Sequence, residues 1–196
     1  MQHIGTQPFE TERLLLRRFT PEDSADAHRW FCDSEVAVYM RWDAHTDIAQ
    51  TEAFLASWIA EYEQPNFYRW AIALKEDNRA IGSIGFHVDD DYDAVADPSY
   101  ALCKVYWGRG IVSEALAAVL RYALLDDHPN ESADSPGTPG VGLNRVEAFH
   151  AVDNPGSGRV MQKAGMRYEG HARQKYRSHK GFEDCELYAL LREDLL

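Results

Sequence analysis

The sequence predicts an α/β protein whose strands and helices form parts of one layered domain. Three observations carry this. Short apolar runs of strand length recur along the chain, segments between them have helical spacing, and a glycine-bearing turn joins one strand directly to one helix. With 196 residues the chain suits a single domain, 1–196. A chain of this size buries roughly 70% of the surface it exposes when unfolded, so it can build a proper core.

Leu14, Leu15 and Leu16, between Arg13 and Arg17, form the first expected strand. Thr20 then caps a helix, with Pro21 at its first position and Asp23 facing the free N–H groups. After Asp47, the residues Ile48, Thr51, Phe54, Leu55, Trp58, Ile59 and Tyr62 fall at spacings of three and four. Pro65 ends this clearest helix of the chain. A hairpin follows, Trp70 to Leu74 and Ile81 to Phe86, turned by Lys75-Glu76-Asp77-Asn78-Arg79. Asp89-Asp90-Asp91-Tyr92-Asp93 reads as a solvated loop.

Tyr100 to Val105 is the next expected strand, and Ser113 to Leu125 a helix with Leu116, Val119, Leu120 and Ala123 on one face. The stretch 126–142 is rich in Asp, Ser, Pro and Gly without any period, and reads as a mobile surface insertion. Arg145 to Val152 is a strand. Asn154 opens a short helix closed by Lys163-Ala164-Gly165, where Gly165 suits the left-handed position after a helix. Tyr168 to Tyr176 and Asp184 to Leu191 are the last two strands expected.

Hydrophobic residues make up 45% and charged residues 27%, ordinary globular usage. The net charge of -12 argues against a general nucleic-acid binder, which needs a basic face to replace counterions. It leaves room for an anionic cofactor, because a local set of Arg and backbone N–H groups holds phosphate even in an acidic protein. Cys32, Cys103 and Cys185 are far apart, with no Cys-x-x-Cys pair, which disfavours a disulfide framework or a thiolate zinc site. His150 and Asp153 lie three apart at a strand, facing opposite sides, so no metal site is expected. No basic-then-apolar leader opens the chain and no apolar run reaches 18 residues, so the expectation is a cytoplasmic protein outside the membrane, monomer or homodimer.

The chemistry gathers around Trp107-Gly108-Arg109-Gly110-Ile111, set between a strand and a helix. Two glycines ahead of a helix N-terminus let backbone approach an anion closely, and the unpaired N–H groups of the first turn point at it. Taken alone, such glycines are equally explained by turn conformation. The turn is no P-loop, since no Gly-Lys-Ser/Thr follows, and no dinucleotide fingerprint, since the third glycine is missing. No Gly-x-Ser-x-Gly elbow is present to make Ser157 a hydrolase nucleophile. Downstream come Asn154-Pro155-Gly156-Ser157, then Val160, Lys163, Gly165 and Met166.

In that order these elements resemble the GCN5-related N-acetyltransferase (GNAT) superfamily, whose pyrophosphate loop is commonly Gln or Arg, two residues, Gly, one residue, then Gly or Ala. The nearer resemblance is to its RimJ/RimL-like branch, the ribosomal-protein N-terminal acetyltransferases. It is carried by Thr11-Glu12-Arg13-Leu14-Leu15-Leu16-Arg17, Val38-Tyr39-Met40-Arg41-Trp42, Ala80-Ile81-Gly82-Ser83-Ile84-Gly85-Phe86, Tyr106-Trp107-Gly108-Arg109-Gly110 with Glu114-Ala115, and Lys180-Gly181 with Asp184 and Tyr188. One departure is Val105, which stands where many superfamily members place Gln or Arg.

The resemblance implies a mixed sheet of about seven strands with flanking helices, splayed between a fourth strand (Tyr100 to Val105) and a fifth (Arg145 to Val152). It implies acetyl-CoA as co-substrate, its pantetheine arm on the backbone of Leu102, Cys103, Lys104 and Val105. The pyrophosphate would sit on Gly108, Arg109, Gly110, Ile111, Val112 and Ser113, with Asn154 on the pantetheine and Ser157 near the thioester sulfur. No metal is implied. The expected acceptor is an amine: a protein N-terminal α-amine, or alternatively a small amine such as a polyamine or aminoglycoside. A non-catalytic acyl-CoA-binding module is the reading from another class. Ser157 is the expected proton donor to the departing thiolate, with Tyr176 second; a packed strand tyrosine explains Tyr176 as well. Glu35, Tyr39, Met40 and Trp42 are expected around the acceptor, though an exposed helix-end glutamate and plain core packing account for them too.

Overall fold

The computed structural model describes residues 1–128 and 138–196. Strand β1 (Phe9–Glu10) pairs antiparallel with β2 (Leu14–Arg17), Phe9 opposite Leu16. Thr20 stands ahead of Pro21 as expected, but the first turn, Pro21–Asp23, is a 3-10 turn before helix α1 (Ser24–Phe31). Asp23 accepts two hydrogen bonds of 2.8 Å from the Arg17 guanidinium and one from the Thr20 N–H, which ties the end of β2 to the start of α1. A short helix α2 (Ser34–Ala37) and then α3 (Ile48–Glu61) follow, the latter capped by the Asp47 side chain on Gln50 N–H.

Strands β3 (Tyr68–Leu74) and β4 (Ala80–Asp90) form the hairpin. β4 is longer than the sequence suggests: Asp89 and Asp90 belong to it, and only the turn that follows is loop. There the Asp90 carboxylate accepts from Tyr92 and Asp93 N–H. β5 (Val95–Leu102) begins five residues before the expected strand and ends three before it. The early half, with Asp97, Pro98 and Ser99, has too little apolar character to signal a strand. At the far end Lys104–Tyr106 turns into a 3-10 helix, so Cys103, Lys104 and Val105 are not strand.

Helix α4 (Ile111–Leu124) leads to a two-residue ribbon, β6 (Asp127–His128) with β7 (Thr138–Pro139). The expected insertion at 126–142 therefore needs correction at both ends. Gly140 N–H bonds to Asp126 O, Val141 N–H to Tyr122 O, and Val141 is buried in the core. The middle of that stretch, 129–137, lies outside the described residues. β8 (Arg145–Ala151), α5 (Pro155–Lys163), β9 (Arg167–Ser178) and β10 (Gly181–Leu191) complete the fold. Gly165 has φ +96°, the left-handed position expected after α5.

The main sheet has eight strands in the order β1-β2-β3-β4-β5-β8-β10-β9. It is one strand more than the sequence suggests, because two residues, Phe9 and Glu10, are enough to add an edge. Every neighbouring pair is antiparallel except β5 with β8, which run parallel through only Val95↔Arg145 and Ala96↔Val146. Beyond Ala96 the two strands part. Pro98, two residues on, has no amide hydrogen to offer a ladder.

Two cores flank the sheet. On one face α4 and α5 bury Leu116, Val119, Leu120 and Met161 against Leu14, Trp70, Ile84 and Val146. On the other, α1 and α3 bury Trp30, Phe31 and Leu55 with Phe19, Ala71 and Ala101. Each fully buried side chain of this kind contributes about 1.5–3 kcal/mol, so the sheet is held firmly from both sides. The parting of β5 from β8 therefore opens a passage through an otherwise sealed layer.

Candidate active site

A cavity of about 940 Å³ fills the space where β5 and β8 part. Because strand residues alternate faces, its walls come from both sides of the sheet. Tyr100 and Leu102 of β5 line it with Ile111, Val112 and Val160 from the α4/α5 side; Asp97, Ser99 and Ala101 line it with Phe54, Trp58 and Arg69 from the α1/α3 side.

The glycine turn forms one end. Gly108 has φ +75° and Gly110 φ +74°, conformations that side chains rarely adopt. A Cβ on Gly108 would meet nothing within 4 Å, so the backbone there borders open space. Ile111, Val112 and Ser113 follow in the first turn of α4, whose N–H groups have no intrahelical partner, and all three line the cavity. Such a turn ahead of a helix N-terminus has the geometry and the free N–H groups to accept a phosphate-bearing group. The turn is clamped from behind: Glu114 accepts from Thr11 Oγ1 (2.5 Å), Arg13 N–H (2.9 Å) and Arg13 Nε (2.6 Å), while Arg13 Nη1 donates to Arg109 O (3.1 Å). Burial alone would raise the Glu114 carboxyl; the bonds from Thr11 and Arg13 outweigh it and hold the group below its ordinary range.

Of the residues expected to hold the cofactor, Leu102, Gly108, Gly110, Ile111, Val112, Ser113, Asn154 and Ser157 line this one cavity. Cys103, Lys104, Val105 and Arg109 are not among its walls. Cys103 is buried in the α1/α3 core, and Val105 points outward at 66% exposure. Lys104 forms an ion pair with Glu35, and the Arg109 guanidinium folds back to 5.4 Å over the Tyr106 ring. The 3-10 turn at Lys104–Tyr106 is the physical reason, since it rotates these side chains away from the strand's direction.

Asn154 caps α5, its side-chain oxygen accepting from Ser157 N–H at 3.4 Å. The Ser157 hydroxyl lies 2.7 Å from the Tyr100 hydroxyl across the gap between the strands. Tyr100 is held neutral, its pKa pushed up to about 12 chiefly by burial. The first turn of α5 approaches β8 closely because Gly158 has no side chain: a Cβ there would stand 2.4 Å from His150 Nε2. His150 in turn donates Nδ1–H to Ala151 O at 2.8 Å.

Glu35, Tyr39, Met40, Trp42 and Tyr176 line the other end of the cavity. The Tyr176 O–H donates to Tyr39 O at 2.9 Å, so its proton is engaged in holding the 38–42 segment against β9. Tyr39 O–H donates to Asp153 O. The sequence reading missed Tyr100, Asp97, Ser99 and Arg69. Asp97 is half-buried; burial first, then repulsion from Asp89 and Glu147, push its carboxyl up to about 7 against the opposing pull of Lys175 and Arg41. Among the described residues, no group of three or more His, Cys, Asp or Glu is arranged to hold a metal ion, and no helix is long and apolar enough to cross a membrane.

Gly110→Val places a β-branched residue at φ +74° in the glycine turn, a strain of about 1–3 kcal/mol. Acetyl-CoA binding to the folded variant is expected to weaken tenfold or more, about 1.4 kcal/mol. Calorimetric titration measures this, and unchanged affinity would remove the turn from the binding site.

The Acetyltransferase (GNAT) domain family matches residues 13–167. An uncharacterized N-acetyltransferase of Bacillus subtilis (strain 168), YoaA, is 27% identical over 183 residues, covering 93% of this chain and 96% of that protein. A ribosomal-protein-serine acetyltransferase of Escherichia coli (strain K12) is 29% identical over 126 residues, 64% of this chain and 62% of its own length. Among solved structures, a GNAT-family acetyltransferase from Bacillus anthracis is similar with a TM-score of 0.77 and 26% identity, over 95% of this chain and 99% of that one. With the glycine turn, the cleft through the sheet and these relatives together, the chain belongs to the acetyltransferase (GNAT) family and is an acetyl-CoA-dependent N-acetyltransferase.

Proposed function

We propose that the acceptor is an α-amine of the kind found at a protein N-terminus, and that Asp97 and Ser157 manage its protons. The observation that carries this reading is the placement of Asp97 and the Ser157–Tyr100 pair on opposite sides of one cleft. The thioester of acetyl-CoA supplies an electrophilic carbonyl and a thiolate leaving group. Asp97, as carboxylate, accepts the proton that the substrate ammonium must lose before its nitrogen attacks the carbonyl. Ser157 donates its hydroxyl proton to the sulfur and recovers one from Tyr100, and the second N–H proton, lost as the tetrahedral intermediate collapses to the amide, restores the Tyr100 hydroxyl. Tyr176 serves as a wall of the acceptor end, since its proton is already engaged by Tyr39 O.

The proton arithmetic favours an α-amine over lysine. A base near pKa 7 accepts from an α-ammonium of pKa about 8 at a cost of roughly 1.4 kcal/mol; from lysine at about 10.4 the cost is nearly 5 kcal/mol. The similarity to a ribosomal-protein-serine acetyltransferase points the same way. Three free cysteines, one of them exposed, suit a reducing compartment such as the cytoplasm.

Four outcomes test this. The rate should climb as pH rises through about 7 and on toward 8, because only the Asp97 carboxylate accepts a proton and only the neutral amine attacks. Asp97→Asn should lower kcat/KM roughly 100-fold or more and flatten the limb near 7; a variant that keeps both the rate and the profile would exclude Asp97 as the base. Ser157→Ala should lower kcat by about 10- to 1,000-fold with acetyl-CoA affinity little changed, and a wild-type kcat under chemistry-limited conditions would leave Ser157 as part of the α5 cap alone. Finally, a peptide with a free N-terminus should release CoA faster than its N-blocked twin with the same internal lysines. Equal rates would make the enzyme a lysine or general amine acetyltransferase.

A further inference from the structure

Arg41 and Arg69 both line the acceptor half of the cavity and form no ion pair among the described residues, and Arg69 is the one with a nitrogen sealed from solvent. Arg69, Gly85 and Ser99 stand in a single row across β3, β4 and β5, Arg69 opposite Gly85 and Gly85 opposite Ser99. Neighbouring strands are about 4.8 Å apart, so Arg69 spans two strand spacings to reach β5. It does so over Gly85, where a Cβ would stand 3.1 Å from Arg69 Nε. Its Nη1 donates to Ser99 Oγ at 3.0 Å, and its guanidinium carbon lies 4.9 Å above the Trp58 ring.

What it lacks is an anion. Arg13, Arg17, Arg145, Arg167 and Arg192 each form an ion pair with a carboxylate; no carboxylate among the described residues pairs with Arg69. Its Nε is sealed from solvent without a hydrogen-bond partner. Burial pushes the guanidinium down to about 10, still charged at neutral pH. In a chain with 32 acidic residues against 20 basic ones, a buried arginine bonded only to a hydroxyl costs stability unless a ligand completes it. The arrangement also has polarity. Asp97 and Ser99 are two apart on β5, on the same face and roughly 7 Å along the strand, so the proton-accepting carboxylate and the hydroxyl that Arg69 holds line the same side of the cavity, with no ion pair between Asp97 and Arg69.

We infer that the acceptor is an amine that carries an anionic group, carboxylate or phosphate, a few bonds from its nitrogen, and that Arg69 binds that group while Asp97 faces the amine. Arg69 is then the specificity-determining residue, and a simple polyamine is a poor acceptor. The inference rests on the acetyltransferase reading of this site and narrows its substrate class.

Matched acceptors test it by CoA release: peptides beginning Ala-Asp against Ala-Asn for a carboxylate, and phosphoethanolamine against ethanolamine for a phosphate. In the wild type at least one anionic partner should be favoured tenfold or more in kcat/KM, mostly through KM, and the pair with the larger ratio names the anion. Arg69→Gln should reduce that ratio to less than about twofold, while acetyl-CoA affinity by calorimetry stays unchanged and Arg69→Lys restores part of it. Equal rates within both pairs for the wild type, or a preference that survives Arg69→Gln, would overturn the inference. A binding arm needs no turnover. N-acetylglycine or inorganic phosphate should change the fluorescence of the wild type saturably, with the change lost in both Trp58→Phe and Arg69→Gln; no saturable change with either probe is also a refutation. Failure to bind acetyl-CoA would strike the acetyltransferase reading instead, and the calorimetry reports that separately.

Discussion

The short parallel contact between β5 and β8 governs the rest of this structure. Two paired residues, Val95 and Ala96, join the halves of the sheet, and past them the strands diverge. A sheet that stayed closed would bury Tyr100 and Leu102 on one side and Asp97 and Ser99 on the other, with no path between. The divergence gives both sets a common cavity. It also leaves β5 backbone without a partner strand on one side, which a buried protein segment tolerates only if something else satisfies it. The two cores on either side supply the rigidity that keeps the opening fixed in width.

Charge is distributed to suit this opening. Among the described residues, ion pairs form near the surface or at element ends, as in Arg17–Asp23 and Arg145–Glu169. Glu114 and Arg13 form such a pair with a local purpose: they brace the glycine turn at the mouth of α4 through Arg109 O. Inside the cavity the pattern reverses. Asp97 and Arg69 carry charges or potential charges that no protein group neutralises by direct pairing, and Tyr100 and Ser157 share a short hydrogen bond with protons available to move. Groups left incomplete in this way are where a substrate gains most by binding, because it relieves a cost the folded protein already carries.

The parts of this architecture that could be read from the sequence are those specified within a few residues. The 3.6-residue period of Ile48 to Tyr62 predicts α3; the two glycines before Ile111 predict a backbone turn that opens α4; Asn154 predicts the cap of α5, and Gly165 its left-handed end. Each is a local matter of capping, φ preference or amphipathic spacing. These signals, taken in order, also carry the family resemblance, and with it acetyl-CoA as co-substrate. Strand limits were less legible. Asp97, Pro98 and Ser99 look like loop because what makes them strand is the β4 ladder beside them, and Lys104 and Val105 look like strand because nothing local announces the 3-10 turn.

Only the tertiary structure decided which side chains meet. Ser157 was visible in its motif, but its partner Tyr100 lies 57 residues away and meets it because the strands part there. Arg69 and Ser99 are 30 residues apart in sequence and join through the register of three strands and the absence of a side chain at Gly85. Lys104, whose backbone is expected at the cofactor, sends its side chain to Glu35 of α2, 69 residues earlier. Period and capping specify an element because their interactions span three or four residues of one chain segment. Register and the angle between strands depend on contacts between segments far apart, and a one-residue slip would turn every one of these side chains to the other face.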